Sequence, residues 1–382
     1  MDSNAPNIAT QTMFAELTQR ALDSQFDELY DERGRFFKRR IKTREYWYYS
    51  RSVRGKKQTS YVGPVGDKDI SKRVRQFSSI KSDFRQRRDL VRALMAVGLP
   101  APDPMAGAVL EALWKGGFFR LRGVLIGTLA YQSYAGILGI KLPGMSLRTG
   151  DADLAQFYDI SHMVKDSIPP ILDVLQQVDS TFSPVPNLHR KHVTRYRTGI
   201  GYFVDFLTPN RGSDKHQGAP AVMPALGGAS AQPMRYLDYL IHDTVWAVAL
   251  HKGGIPIRVP TPARFAIHKL IVATQRKLDP AKSDKDIAQA QNIIRACLAN
   301  RSYDLYEAWV EACDRGPTWR QLLKRGRSML GEAVRNDFIF SLETHGWSEK
   351  RLVKRQHKKP QSARRTAAKK TSVKRKPKQA KE

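Results

Sequence analysis

Apolar residues recur at helical spacing over residues 6–30, where Met13, Phe14, Leu17, Leu22, Phe26 and Leu29 predict one amphipathic helix. From there to about residue 66 the pattern changes to interleaved basic and aromatic positions, GRFFKRRIKTREYWYYSRSVRGKKQTSYVGPVG. With glycines at 34, 55 and 63 as punctuation, this predicts a small antiparallel meander. A charged helix is expected from about Ile70 to Ala96, and GLPAPDP at 98–104 breaks it at a domain boundary. Strands and helices then alternate from about 107 to 260. LRGVLIG (121–127), DADLAQF and RYRTGIGYFVDFLTP each hold a strand, TLAYQSYAGILG and SIPPILDVLQQV hold helices, and VWAVALHKGGIPIRVP is a hairpin turning at Gly253-Gly254. From 261 to about 345 the pattern is helical throughout. The Gly-, Pro- and Ala-rich stretch 208–232 is expected to be a long, disordered loop.

The fold class is therefore α+β. The expected order is an N-terminal helix (1–30), a basic aromatic meander (31–66), a helical connector (67–104), a mixed core (105–260), a C-terminal helical domain (261–349) and a tail (350–382).

Charge changes this picture in two places. The chain has 382 residues and a formal net charge of +29. Residues 350–382 carry 15 Lys and Arg against the single acid Glu382, with few large apolar residues, and are expected to be disordered. Residues 33–57 carry 11 Lys and Arg against Glu45. Both segments suit phosphate backbones, so a nucleic acid, RNA or DNA, is the expected partner. Arg39, Arg40, Lys42, Lys56 and Lys57 are the candidate contacts in the meander. Its aromatic residues serve either as stacking surfaces for bases or as the sheet's own core. Two cysteines, Cys297 and Cys313, exclude a disulfide scaffold and fit a reducing cytosol. No apolar run is long enough for a membrane span, and no secretory leader is read at the N-terminus.

The chemistry centres on three carboxylates. Asp151 and Asp153 stand at i and i+2 in Thr-Gly-Asp-Ala-Asp-Leu, so on a strand both face one side, with Cα atoms roughly 6.5 Å apart. Such a pair can hold magnesium, whose remaining positions accept phosphate oxygens. Asp205 is a lone acid in the apolar run Tyr-Phe-Val-Asp-Phe-Leu and needs a partner when buried. A metal shared with the other two aspartates is one solution, and an ion pair with Arg195 or Arg197 is another. Gly127-Thr128 closes an apolar strand at a helix start, where backbone N–H groups and a hydroxyl can meet a phosphate. Lys269 and Arg276 lie seven apart on the helix that begins at Pro262, hence on one face. His268 is expected to be an ordinary core or surface histidine, and the His-Arg-Lys-His run at 189–192 is not expected to bind metal.

These motifs resemble the DNA polymerase β superfamily of nucleotidyltransferases, whose signature is an apolar residue, Gly and Gly or Ser, then Asp-h-(Asp/Glu)-h, and a third acid on a later strand. Ile126-Gly127-Thr128, Asp151-Ala152-Asp153-Leu154 and Asp205 match it, with a long spacer of 22 residues between Thr128 and Asp151. GTLAYQSYAGILG, TGDADLAQ, VDFLTP and VPTPARFAIHKLIVA resemble a poorly characterised bacterial group of nucleotidyltransferase-fold proteins over roughly residues 30–340. Lys269, Arg276 and Asp286 are similar to the Lys, Arg and later Asp of abortive-infection toxin nucleotidyltransferases.

The resemblance implies a polymerase-β-type core and transfer of a nucleoside monophosphate from a nucleoside triphosphate to an acceptor hydroxyl. It also implies two magnesium ions on Asp151, Asp153 and Asp205, and nucleotide contacts from Gly127, Thr128, Lys269 and Arg276. The alternatives are a non-catalytic nucleic-acid-binding protein on the same fold and a nucleotide-sugar glycosyltransferase, which also uses Asp-x-Asp.

Overall fold

The computed structural model describes residues 6–24, 34–41, 43–53, 56–143, 149–164, 166–186, 192–212, 218–276 and 278–348. The basic tail from 349 onwards, Lys42 and His189 lie outside the described residues. Helix α1 (Ile8–Asp23) starts at Asn7, whose side chain accepts from the Thr10 backbone N–H, and it buries Phe14, Leu17 and Ala21. Strands β1 (Arg35–Ile41), β2 (Arg44–Val53) and β3 (Lys56–Pro64) form the antiparallel meander that the alternation predicts. Helix α2 (Lys68–Ala96) packs against it and against α1. Helix α3 (Pro104–Gly116) is capped by Asp103 and ends at left-handed Gly117.

The core sheet begins with β4 (Val124–Ile126), shorter than the seven-residue strand expected. Residues 121–122 form a turn, with Arg122 at φ 61. Helix α4 (Gly127–Leu138) follows directly, then β5 (Asp151–Ala155), the short helices α5 (Tyr158–Met163) and α6 (Ile171–Gln176), and β6 (Ser183–Pro184), β7 (Arg195–Arg197) and β8 (Phe203–Pro209). The segment expected to be one strand over 195–209 is thus a hairpin of two, turning through 198–202. The described residues of 208–232 correct the expectation of a disordered loop, while 213–217 lie outside them. Strand β8 extends to Pro209, β9 is Ala221–Val222, and β10 (Ser230–Met234) runs parallel to β8. Small residues hid these strands. Ala229 and Ala231 are fully buried, but Ala, Gly and Pro carry no strand signature.

The sheet order is β4-β5-β8-β10-β9. Strand β7 is antiparallel to the first half of β8, on the edge where β10 pairs with its second half. Helix α7 (Leu237–His242) leads into the hairpin β11 (Thr244–Ala249) and β12 (Ile255–Pro260), paired as read. Five helices follow: α8 (Pro262–Gln275), α9 (Pro280–Asn300), α10 (Ser302–Asp314), α11 (Pro317–Ser328) and α12 (Glu332–Thr344). The fold is α+β, with a short mixed sheet and a helical C-terminal part. No helix of the described residues is long and apolar enough to cross a membrane.

Helix α8 stands over the sheet and is held from several sides. Eleven of its residues are buried, including Arg264, which donates to the Tyr239 carbonyl and to Glu311 of α10. Tyr134 of α4 packs edge-on against Phe265 and donates to the Pro260 carbonyl just before the helix. Gly326 of α11 lets the two helices meet: a Cβ there would lie 2.2 Å from the Leu270 carbonyl oxygen. Gly326→Ala must therefore push α11 off α8. It should lower unfolding free energy by about 1–3 kcal/mol in a urea titration.

Candidate functional site

Strand register places the key residues in one row. Ile126 of β4 pairs with Asp153 of β5, Asp153 with Asp205 of β8, and Asp205 with Arg195 of β7. Cross-strand partners share a face at about 4.8 Å strand spacing, so two carboxylates and a guanidinium stand side by side. Asp151 joins them by period two: it and Asp153 face the same side, while Ala152 between them is fully buried. Thr149 donates to the Asp151 carboxylate, holding it at the strand's mouth. Strand pairing sets Asp153 and Asp205 side by side, on the face that Asp151 shares.

Asp205 also takes the partner weighed for it as an alternative. Arg195 donates from Nε to Oδ1 (2.5 Å) and from Nη2 to Oδ2 (2.8 Å), a two-pronged pair over an 8% exposed aspartate. In the row's other direction Asp153 meets apolar Ile126. Burial pushes its pKa up to about 7, and the negative charges of Asp151 and Asp205 add to the shift against the pull of Lys269 and Arg195.

Gly127 is explained by the same carboxylate. It begins α4 at φ 67, and a Cβ there would lie 2.3 Å from Asp153 Oδ2. Only glycine both adopts this backbone and leaves the carboxylate its space. The start of α4, with its free N–H groups, therefore borders the aspartates. Thr128 is half-buried and does not line the cleft. One residue further on, the helix has turned by about 100°, which carries the hydroxyl away from the position expected for it.

Helix α8 forms the opposite wall. A cleft of about 540 Å³ lies between it and the sheet, lined by Asp151, Asp153, Asp205 and Arg195 on one side and by Phe265, His268, Lys269, Val272 and Arg276 on the other. This volume suits a nucleotide-sized ligand. Lys269 donates to Asp286 Oδ1 (2.5 Å) and Arg276 Nε to Oδ2 (3.1 Å), so one buried aspartate of α9 holds both cations at the cleft. Arg276 does this from the cap position just past α8. His268 is the core histidine expected, 7% exposed, and burial with neighbouring Lys269 keeps it neutral, its pKa pushed down to about 3. His192 contacts the Ser230 hydroxyl at 3.2 Å.

Sequence reasoning missed two cations here. Lys282 lines the cleft, and Lys285 lies within the electrostatic reach of Asp151 and Asp153, with burial holding its ammonium below the ordinary lysine value. Their i, i+3 spacing on α9, directly before Asp286, was the available signal.

Among the described residues, no group of three or more His, Cys, Asp or Glu converges as a ready-made metal site. Arg195 donates to both oxygens of Asp205. Beside it stands an oxygen-only pair, Asp151 and Asp153, facing a cationic wall. That donor set fits magnesium, which is bound through one or two carboxylates together with substrate phosphates.

A family model described as nucleotidyltransferase matches residues 104–314. No curated protein matches the chain. Among solved structures, an antigenic nucleotidyltransferase-like protein from Paracoccidioides brasiliensis is similar at 15% identity, covering 61% of this chain and 97% of that chain, with a TM-score of 0.29.

The raised pKa of Asp153 makes stability depend on pH. A carboxyl whose native pKa lies above its unfolded value of about 4 favours the fold at low pH, and that contribution is lost as pH rises through about 7. Asp153→Asn removes the ionisation. In chelator at pH 8 the variant should be more stable than the wild type by on the order of 1–4 kcal/mol, and the advantage should vanish near pH 4. Urea titrations at the two pH values read the difference.

Proposed function

Because the chain belongs to the nucleotidyltransferase family, we propose that its cleft transfers a nucleoside monophosphate from a magnesium-bound nucleoside triphosphate to an acceptor hydroxyl. The observation that carries this reading is the row Ile126, Asp153, Asp205, Arg195, with Asp151 beside it, facing Lys269 and Arg276 across the cleft. Acidic and basic walls in one cleft suit a ligand that is itself a polyanion carrying divalent cations.

Asp151 and Asp153 would hold magnesium, two ions being expected, with Asp205 as the third carboxylate in reach. When bound there, magnesium neutralises charge on the triphosphate and on the leaving pyrophosphate. Lys269, Arg276 and Lys282 line the wall where the β- and γ-phosphates bind, and their fixed charge needs no rearrangement during reaction. Asp286 holds the first two of them in place. Backbone N–H groups at the start of α4 hold a phosphate oxygen, which Gly127 permits by leaving the approach open. Asp205, oriented by Arg195, takes the proton of the acceptor hydroxyl. The hydroxyl oxygen bonds to the α-phosphorus in line, the bond to the β-phosphate oxygen breaks, and pyrophosphate leaves. The acceptor is read as a nucleic acid, RNA in the first instance, from the formal charge of +29.

Incubation with each α-labelled nucleoside triphosphate, magnesium and total cellular RNA tests the reading. Label should pass to an acceptor. Asp151→Ala should reduce transfer by roughly a thousandfold or more, since positioning and charge stabilisation supply most of such catalysis. Unchanged transfer in that variant would refute the assignment. Lys269→Ala should raise KM for the triphosphate by about tenfold, the scale of one lost charge-assisted contact.

A further inference from the structure

The meander settles in three dimensions what its sequence left open, because the two faces of the sheet do different things. On the inner face, Phe36 and Tyr49 pack on each other and on Phe77 of α2, with ring centroids 4.9–6.1 Å apart. Trp47 belongs to this face and donates from Nε1 to the Ser71 hydroxyl at 3.0 Å. These rings are core.

The other face carries a second set, brought together by strand register. Phe37 pairs with Tyr48, and Tyr48 with Tyr61, so the three share a face across all three strands. Their centroids are 5.9 and 5.7 Å apart, and Tyr46 continues the set 5.9 Å from Tyr61. Tyr61 is 57% exposed, so the described residues leave much of its ring open. Cations flank the rings: the Arg39 guanidinium stands 5.9 Å from the Tyr48 centroid and the Lys57 ammonium 5.9 Å from that of Phe37. Arg40 and Arg44 on the same strands are exposed. The one acid of the segment, Glu45, lies 3.9 Å from Lys38.

A row of rings, Tyr61 exposed and Phe37, Tyr46 and Tyr48 half-buried, bordered by positive charge, matches one ligand chemistry: bases to stack on the rings and phosphates to meet the cations. A duplex hides its base faces, so the strand must be single. Three of the four rings are phenols, able to hydrogen-bond a ribose 2′-hydroxyl, which favours RNA.

We propose that the outer face of the β1–β3 sheet, Phe37, Tyr46, Tyr48 and Tyr61 with Arg39 and Lys57, is a platform for single-stranded RNA. The proposal deepens the nucleic-acid reading of the acceptor and rests on it for the class of partner. It separates the meander's role from that of the basic tail: the tail attracts any phosphate backbone, whereas the platform needs bases.

The test is fluorescence anisotropy with the full chain and a short labelled single-stranded oligoribonucleotide, alongside an abasic strand of equal length and charge. Wild type should bind the normal strand roughly tenfold or more tighter than the abasic one. Tyr48→Ala with Tyr61→Ala should bring the normal strand down to the abasic affinity without altering abasic binding. Tyr48→Leu keeps apolar packing and should weaken the normal strand in the same direction at an unchanged melting temperature, which separates lost stacking from misfolding. Arg39→Gln with Lys57→Gln should weaken both strands and flatten the salt dependence. Equal wild-type affinity for normal and abasic strands would overturn the platform while leaving the nucleic-acid reading intact. Deoxyribose strands bound as tightly as ribose strands would overturn the choice of RNA. No binding of either RNA strand by wild type would overturn the nucleic-acid reading itself, and the label-transfer assay remains a separate measure of chemistry at the cleft.

Discussion

Like charges on neighbouring strands repel, and the structure sets two aspartates in direct register across a parallel strand pair. Everything around them answers that repulsion. Arg195, one strand further, closes on Asp205 with both prongs of its guanidinium. Asp153 lies instead between Gly127 at the start of α4 and the charged wall of α8, its carboxyl pushed up to about 7. A buried like-charge arrangement is costly unless something compensates it, so the fold gives up stability at this point. Such a site is ordinary where a cation-bearing ligand completes it.

The second wall shows the same logic with the opposite sign. Lys269 and Arg276 would repel each other across the end of α8, and buried Asp286 accepts from both. Helix α9 therefore positions cations that α8 carries. Helices α10 and α11 fix α8 in turn, through the Arg264–Glu311 pair and the close approach at Gly326. The helical part of the chain thus sets the width of the cleft, and the sheet sets the spacing of its carboxylates.

Much of this was readable in the chain. Period-two spacing places Asp151 and Asp153 on one face, Gly127 marks the strand-to-helix corner, and the heptad interval puts Lys269 and Arg276 on one wall. What escaped was non-local or weakly patterned. The Arg195–Asp205 pair is among the alternatives the chain offers, but the tight turn over 198–202 that folds β7 back along β8 reads as part of one strand. Strands β9 (Ala-Val) and β10 (Ser-Ala-Gln-Pro-Met) are short and lie among Gly, Ala and Pro residues that resemble a loop, yet β10 completes the sheet beside β8. Lys285 shares a face of α9 with Lys282 by its i, i+3 spacing, but that this face turns toward the carboxylates depends on the packing of α9 on α8. In the meander the alternation was visible, but which parity meets α2 depends on Phe77 and Ser71, beyond the sheet itself.

In the mechanism we propose, a divalent cation arriving with a triphosphate would complete the aspartate row. Isothermal titration of a non-hydrolysable nucleoside triphosphate analogue near pH 7, in buffers of different ionisation enthalpy, tests that completion most directly. Binding should require magnesium and should release protons, because the cation must displace the one held at Asp153. Binding of equal strength in excess chelator, with no proton release, would contradict it.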